Sequence, residues 1–230
     1  MDFATSNGRI ERKAVWGGVV RLIGALGLTS LAAGCGDVVR EGSGSSYLIV
    51  NSLVAASGAL PNEFSGTLGS DVITVVQGSP TIFSDNAVAA FSLGLKDAGG
   101  SELPTKPTTN NVITINRYHV RYVRADGRNT PGVDVPYPFD GAFTLTVGAG
   151  EAEAAFILVR TQAKLEAPLA ALARNTLSIS TIAEITFYGR DQTGNEVQAT
   201  ANISVNFANF GDPGAAKDDE EEELTTRGGR

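Results

Sequence analysis

Apolar and polar residues alternate along much of the middle of this chain. Tyr118, Val120 and Tyr122 interleave with Arg117, His119 and Arg121, within a segment from Val112 to Arg124. A period of two is the signature of a half-buried strand, because successive side chains of an extended backbone point to opposite faces. Ala201, Ile203, Val205 and Phe207 repeat the pattern, alternating with Asn202, Ser204 and Asn206. Ala183, Ile185 and Phe187 form the strand before it, and Phe143, Leu145 and Val147 another. Further candidates are Tyr47 to Val54, Val72 to Val76, Val88 to Leu95 and Ala154 to Val159. About eight short strands separated by turn residues predict an all-β antiparallel sandwich or barrel, and we expect the sandwich.

The residues between the strands agree. Asp126-Gly127 ends the tyrosine-rich strand, and Asp191-Gln192-Thr193-Gly194-Asn195 has the composition of a hairpin loop. Thr130-Pro131-Gly132 and Pro136-Tyr137-Pro138 fall where no central strand can continue, since proline lacks a ladder donor. Ala163 to Ala173 is rich in Ala and Leu, but Pro168 limits it to a turn or two of helix.

The ends of the chain follow a different pattern. Arg9, Arg12, Lys13 and Arg21 precede an uncharged apolar run from Leu22 to Leu31. That run is shorter than the ~20 residues a membrane-spanning helix needs, and it reads as the hydrophobic part of a signal peptide. Leu31-Ala32-Ala33-Gly34-Cys35 follows it and resembles the lipobox of bacterial lipoproteins, with Ala32 where Leu is commoner. The resemblance implies cleavage before Cys35, lipidation of that cysteine and attachment to a bacterial envelope membrane. Gly36, not an aspartate, follows the cysteine and Asp37 comes one place later, which favours outer-membrane over inner-membrane sorting. Cys35 is the sole cysteine, so an intramolecular disulfide is excluded.

Residues 1–34 are thus expected to be a leader and residues 35–46 a flexible Gly/Ser linker. Residues 47–210 form the folded domain. Residues 211–230, with the acidic block Asp218 to Glu223, are expected to be disordered because they carry no sustained apolar pattern. Four of the 18 basic and two of the 25 acidic residues precede Cys35, so loss of the leader moves the net charge from −7 to about −9. An acidic chain argues against nucleic acid as a partner.

The run from Ala183 to Val197 resembles the final hairpin of immunoglobulin-like and fibronectin-type-III-like domains, where an alternating strand, a D-x-x-G-N turn and a second strand close one sheet. It implies an immunoglobulin-like module of the bacterial surface type. Antibody-type hallmarks are lacking: there is no cysteine pair, and Trp16 falls in the leader.

Candidate chemistry is sparse. The single histidine, His119, sits between outward-facing arginines, and no nucleophile elbow, H-E-x-x-H or P-loop motif is present. Zinc sites built from Cys and His are excluded by counting. Asp126, Asp134 and Asp140, with Asp191 and Glu196, are the carboxylates on loops. They read as turn formers, with calcium ligation as the alternative. No metal or other cofactor is expected.

Arg124, Arg128, Tyr137 and Phe139 lie in and beside a Gly/Pro-rich segment and form a candidate interaction surface, since arginine and aromatics on a stiff loop are typical hot-spot residues. The alternative is that Tyr137 and Phe139 tuck back onto the core. Two function classes stand. One is a non-catalytic, lipid-anchored envelope protein whose sandwich binds a protein or glycan, or serves a structural role. The other is a lipid-anchored hydrolase using loop carboxylates, which needs two of them facing each other across a cleft.

Overall fold

The computed structural model describes residues 44–211. The leader, Cys35, most of the linker and the acidic tail lie outside the described residues. Within them the chain is an all-β sandwich. One sheet has three strands in the order β1 (Ser46–Ala56), β5 (Asp85–Leu95), β9 (Ala152–Val159). The other has the order β2 (Thr67–Asp71), β11 (Glu196–Ala208), β10 (Ile179–Asp191), β6 (Ile113–Val123), β7 (Phe139–Gly141), with β8 (Leu145–Val147) also paired to β6. A small hairpin, β3 (Thr74–Val76) and β4 (Ser79–Thr81), stands apart from both. Two short helices, α1 (Thr161–Leu165) and α2 (Leu169–Leu172), link β9 to β10 and flank Pro168.

Eight strands have antiparallel partners in one or other main sheet, and one pairing is parallel: β2 lies alongside the end of β11, Thr67 opposite Ser204 and Asp71 opposite Ala208. In chain order the sheets read first-fifth-ninth and second-eleventh-tenth-sixth-seventh.

Period two becomes burial. Along β10, Thr181, Ala183, Ile185, Phe187 and Asp191 face inward, and along β11 so do Ile203, Val205 and Phe207. On β6 the inward phase changes: Ile113 and Ile115 are buried, then Tyr118, Val120 and Tyr122. Asn116 is the extra residue, since Ile115 pairs with Gly189 and Arg117 with Tyr188. A one-residue bulge switches which parity faces the core. Gly189 fits this crossing because a Cβ there would lie 2.6 Å from the Thr114 carbonyl oxygen.

The two layers meet through aromatics. Phe187 stands edge-on to Phe91 and Phe156, at centroid distances of 4.8 and 5.4 Å, and Tyr118 meets Phe156 at 4.9 Å. Edge-to-face packing suits the ring quadrupole and adds to the burial itself. Two tyrosines of β6 also hydrogen-bond across the sandwich: the Tyr118 hydroxyl donates to the Ile157 carbonyl (3.1 Å) and that of Tyr122 to the Leu158 carbonyl (2.6 Å). Burial pushes the pKa of both phenols up, so both stay donors.

The sandwich has two poles. A Cβ on Gly44 would lie 2.8 Å from an Asp191 carboxylate oxygen, so the chain entering β1 sits beside the β10–β11 turn. Ile113, the start of β6, pairs with Asp191 at that same end. At the far end lie the end of β1, the start of β5, both helices, the end of β11 and the loop after Val123. Thirteen residues of β11 at ~3.3 Å each separate the poles by about 40 Å.

Candidate functional site

The far pole is dominated by the β6–β7 loop, residues 124–138, which is built from local hydrogen bonds. The Arg124 amide donates to the Asn129 side-chain carbonyl (2.6 Å), and Gly127 takes φ +81°, a value glycine adopts without steric cost. Arg124 and Arg128 grip one carboxylate. Nη2 of Arg124 lies 2.7 Å and Nη2 of Arg128 2.8 Å from Oδ2 of Asp126, with both Nε atoms and the Arg128 amide completing the fork. Hydrogen bonds from the Arg124 side chain, then from the Arg128 side chain and amide, hold the Asp126 carboxyl well below the usual carboxylate range.

The second half of the loop folds around Val135, which is buried. Gly132 donates to the Val135 carbonyl (2.8 Å), Asp134 donates its amide to Thr130 O (2.9 Å), and the Thr130 amide donates to the Asp134 carboxylate (3.1 Å). The Tyr137 ring packs against Gly132, where an added Cβ would come within 2.3 Å of the phenol oxygen. Beside these residues is a cleft of about 220 Å³, walled by Tyr122, Pro131, Val135, Pro136 and Pro138, with Arg121, Val123 and Asn129 completing its lining. No carboxylate lines it.

The four residues expected to form an interaction surface separate into two pairs. Phe139 is a correction: it is buried, its ring edge-on to Tyr118 (6.2 Å) and covered by the Arg160 guanidinium at 4.1 Å. It begins β7 opposite Val120, so its face of the strand is the core face. Arg124 has a side chain 17% exposed and hydrogen-bonded to Asp126. Arg128 and Tyr137 remain open to solvent. Val133, 67% exposed at the loop tip, joins them; its place between Gly132 and Asp134 gave no sequence signal beyond a turn. Cys35, the expected lipid site, lies outside the described residues.

The basic stripe of β6 is neutralised where it stands. Arg121 is gripped by Glu184, His119 Nδ1 lies 3.2 Å from Asp140, and Arg117 lies 4.0 Å from Asp140 and 4.2 Å from the Tyr188 ring centre. Each loop carboxylate is also engaged locally. Asp191 is the clearest case: desolvation works to raise its pKa, but donors from Asn195 and Thr193 outweigh that and hold it down. Among the described residues no group of three or more metal-ligating side chains occurs.

A feature that sequence reasoning missed lies beneath this loop. Asp85, at the start of β5, and Lys164, in α1, have side chains 0% and 1% exposed and touch at 2.9 Å. Ser70 donates its hydroxyl to Asp85 (2.6 Å), Gly58 donates its amide (2.8 Å), and Lys164 also donates to the Asp71 carbonyl (2.7 Å). Burial pushes the Asp85 carboxyl up, against the pull of Lys164, Ser70 and Gly58. Gly58 is required here, because a Cβ would meet the Ser84 carbonyl oxygen at 2.3 Å.

Comparison of the chain with protein-family models, with curated proteins and with solved structures returned no match.

Proposed function

We propose that this protein is a lipid-anchored, non-catalytic lipoprotein of the bacterial cell envelope, an immunoglobulin-like module that presents its far pole to a protein or glycan partner. The lipobox-like run ending in Cys35 supports the tether. The observation that carries the reading further is the polarity of the sandwich. The chain enters the sandwich at Gly44, at the pole beside the β10–β11 turn, and the open residues Arg128, Val133 and Tyr137 sit about 40 Å away at the other pole. The loop is thus at the opposite end of the sandwich from the point of chain entry. An exposed aromatic, an exposed arginine and an apolar cleft wall on a loop stiffened by prolines are suited to recognition with little ordering cost.

The hydrolase reading finds less support. It needs two carboxylates across a cleft, whereas the cleft at this pole is lined without one, and Asp126, Asp134 and Asp191 serve the turns that contain them.

The test is photo-crosslinking in intact cells, with a benzophenone amino acid replacing either Tyr137 or Thr193. Adducts with an envelope protein or glycan from position 137, and few from position 193, are the expected result. Equal or reversed labelling would contradict the assignment of the far pole as the recognition face.

A further inference from the structure

The buried pair Asp85 and Lys164 brings an amine and a carboxyl together under conditions that neither a salt bridge nor the proposed function requires. Both groups are sealed from water, in contact, and held by partners that distinguish the two carboxylate oxygens. Oδ1 accepts from the Gly58 amide at 2.8 Å and from Nζ at 2.9 Å. Oδ2 accepts from the Ser70 hydroxyl at 2.6 Å. The Asp71 carbonyl, 2.7 Å from Nζ, fixes the direction of the amine. An amine and a carboxylic acid differ from an amide only by one water, and the site that holds them is one from which water is excluded.

We propose that Lys164 and Asp85 form an intramolecular amide bond, stapling α1 to the start of β5. Transfer of one proton from the ammonium to the carboxylate turns the ion pair into a neutral amine and a carboxylic acid, a change that low polarity favours. The Nζ lone pair then attacks Cγ and the Nζ–Cγ bond forms. Negative charge develops on Oδ1, where the Gly58 amide is already directed. The Cγ–Oδ2 bond breaks. The remaining amine proton passes to Oδ2, whose departure the Ser70 hydroxyl assists through its hydrogen bond, and Oδ2 leaves as water. One amine and one acid give one amide and one water, with no oxidant, reductant or cofactor. Fixed proximity supplies the effective concentration, and exclusion of water opposes the reverse reaction.

Among the described residues, the buried side-chain polar atoms all have partners, so this site is not a packing defect. Its consequence is mechanical. The bond joins residues far apart in sequence, Asp85 and Lys164, at the pole that carries the recognition loop. Tyr122 connects the two regions: its ring walls the cleft and its phenol feels the Asp85 charge.

The test is peptide mapping by mass spectrometry of the full-length protein as isolated. Trypsin acting on unlinked chain releases residues 161–164 and 41–96 separately. The linked protein instead gives a branched peptide joining residues 41–96 to 161–174, lighter than its two arms by one water and uncut after Lys164. Recovery of that branched peptide is the expected result. Full recovery of the free 161–164 and 41–96 peptides would overturn the proposal, and this readout needs no variant to fold. Ser70→Ala, refolded and followed over time, should form the branched peptide at least about a hundredfold more slowly, the scale of losing that assistance to the leaving oxygen. An unchanged rate would overturn the role given to Ser70.

Discussion

Asp85 and Asp126 are each held by several hydrogen-bond donors, yet their surroundings drive them in opposite directions. Asp85 is enclosed between the end of β2, the start of β5 and α1, and burial pushes its carboxyl up. Asp126 sits at the surface between Arg124 and Arg128, and their hydrogen bonds hold it down. Asp126 accepts five hydrogen bonds and Asp85 three, and the two sites differ above all in the access of water. A sealed charge pair is expensive to assemble and expensive to break, whereas an exposed one is screened and contributes little to stability. Charge pairing therefore staples the sandwich at Asp85 and merely shapes a loop at Asp126.

The largest expected effect comes from breaking the sealed pair. Asp85→Ala leaves Lys164 unpaired in the interior and should destabilise the fold by ~3–5 kcal/mol in denaturant titration, and by more where the amide proposed above is also lost. A loss below about 1 kcal/mol would put the two sites on equal terms and undo the contrast. Tyr122→Phe comes next. It removes a 2.6 Å bond to the Leu158 carbonyl between the two layers and should cost about 1–2 kcal/mol, read from the shift in denaturant midpoint.

Acid titration sharpens the contrast further. Because the folded pKa of Asp126 lies below its unfolded value, the stability it contributes is full above about pH 4 and is lost as pH falls below that. Asp126→Asn should therefore flatten the acid limb of the wild-type profile, followed by melting temperature. The free carboxyl of Asp85 has the opposite sign: the folded state holds its proton more tightly, so its contribution weakens as pH rises through the raised value. The smallest effect is expected for Arg128→Ala, which leaves Arg124 on Asp126 and should not move the melting temperature measurably at neutral pH.

The same contrast explains what the sequence disclosed. The Arg124, Asp126, Arg128 cluster lies within five residues, and its turn chemistry is readable from Asp126-Gly127. Long alternating runs were equally legible: β1, β5, β6, β9, β10 and β11 all coincide with predicted segments. The split of the Ala163–Ala173 segment around Pro168 also appears, as α1 and α2. The three-residue strands β4 and β7 were not visible, being too short for a period to show, whereas β8 falls on the predicted Phe143, Leu145, Val147 alternation. β2 runs through Thr67-Leu68-Gly69-Ser70-Asp71, a stretch with one large apolar residue, and gains its place by pairing with β11. Val72 to Val76, read as one strand, divides where the chain leaves β2 and turns into the β3–β4 hairpin.

The site was less legible than the fold. Phe139 looked like a loop aromatic because the signal that it faces inward is its pairing with Val120, a contact between strands. Asp85 and Lys164 are unremarkable in sequence, one before an apolar run and the other in a helical turn. Only the crossing of β5 and α1 brings them together. Asn116 is an intermediate case. The change from buried odd positions at Ile113 and Ile115 to buried even positions from Tyr118 is written in the sequence, and it marks a bulge.

The proposed function rests on a lipid tether at Cys35. The most direct test is the intact mass of the membrane-extracted protein beside that of a Cys35→Ser variant, with inner and outer membranes separated. The account predicts a mass corresponding to cleavage before Cys35 plus acyl chains, recovered with the outer membrane, and release of the variant from the membrane. Unmodified full-length protein in the soluble fraction would contradict it.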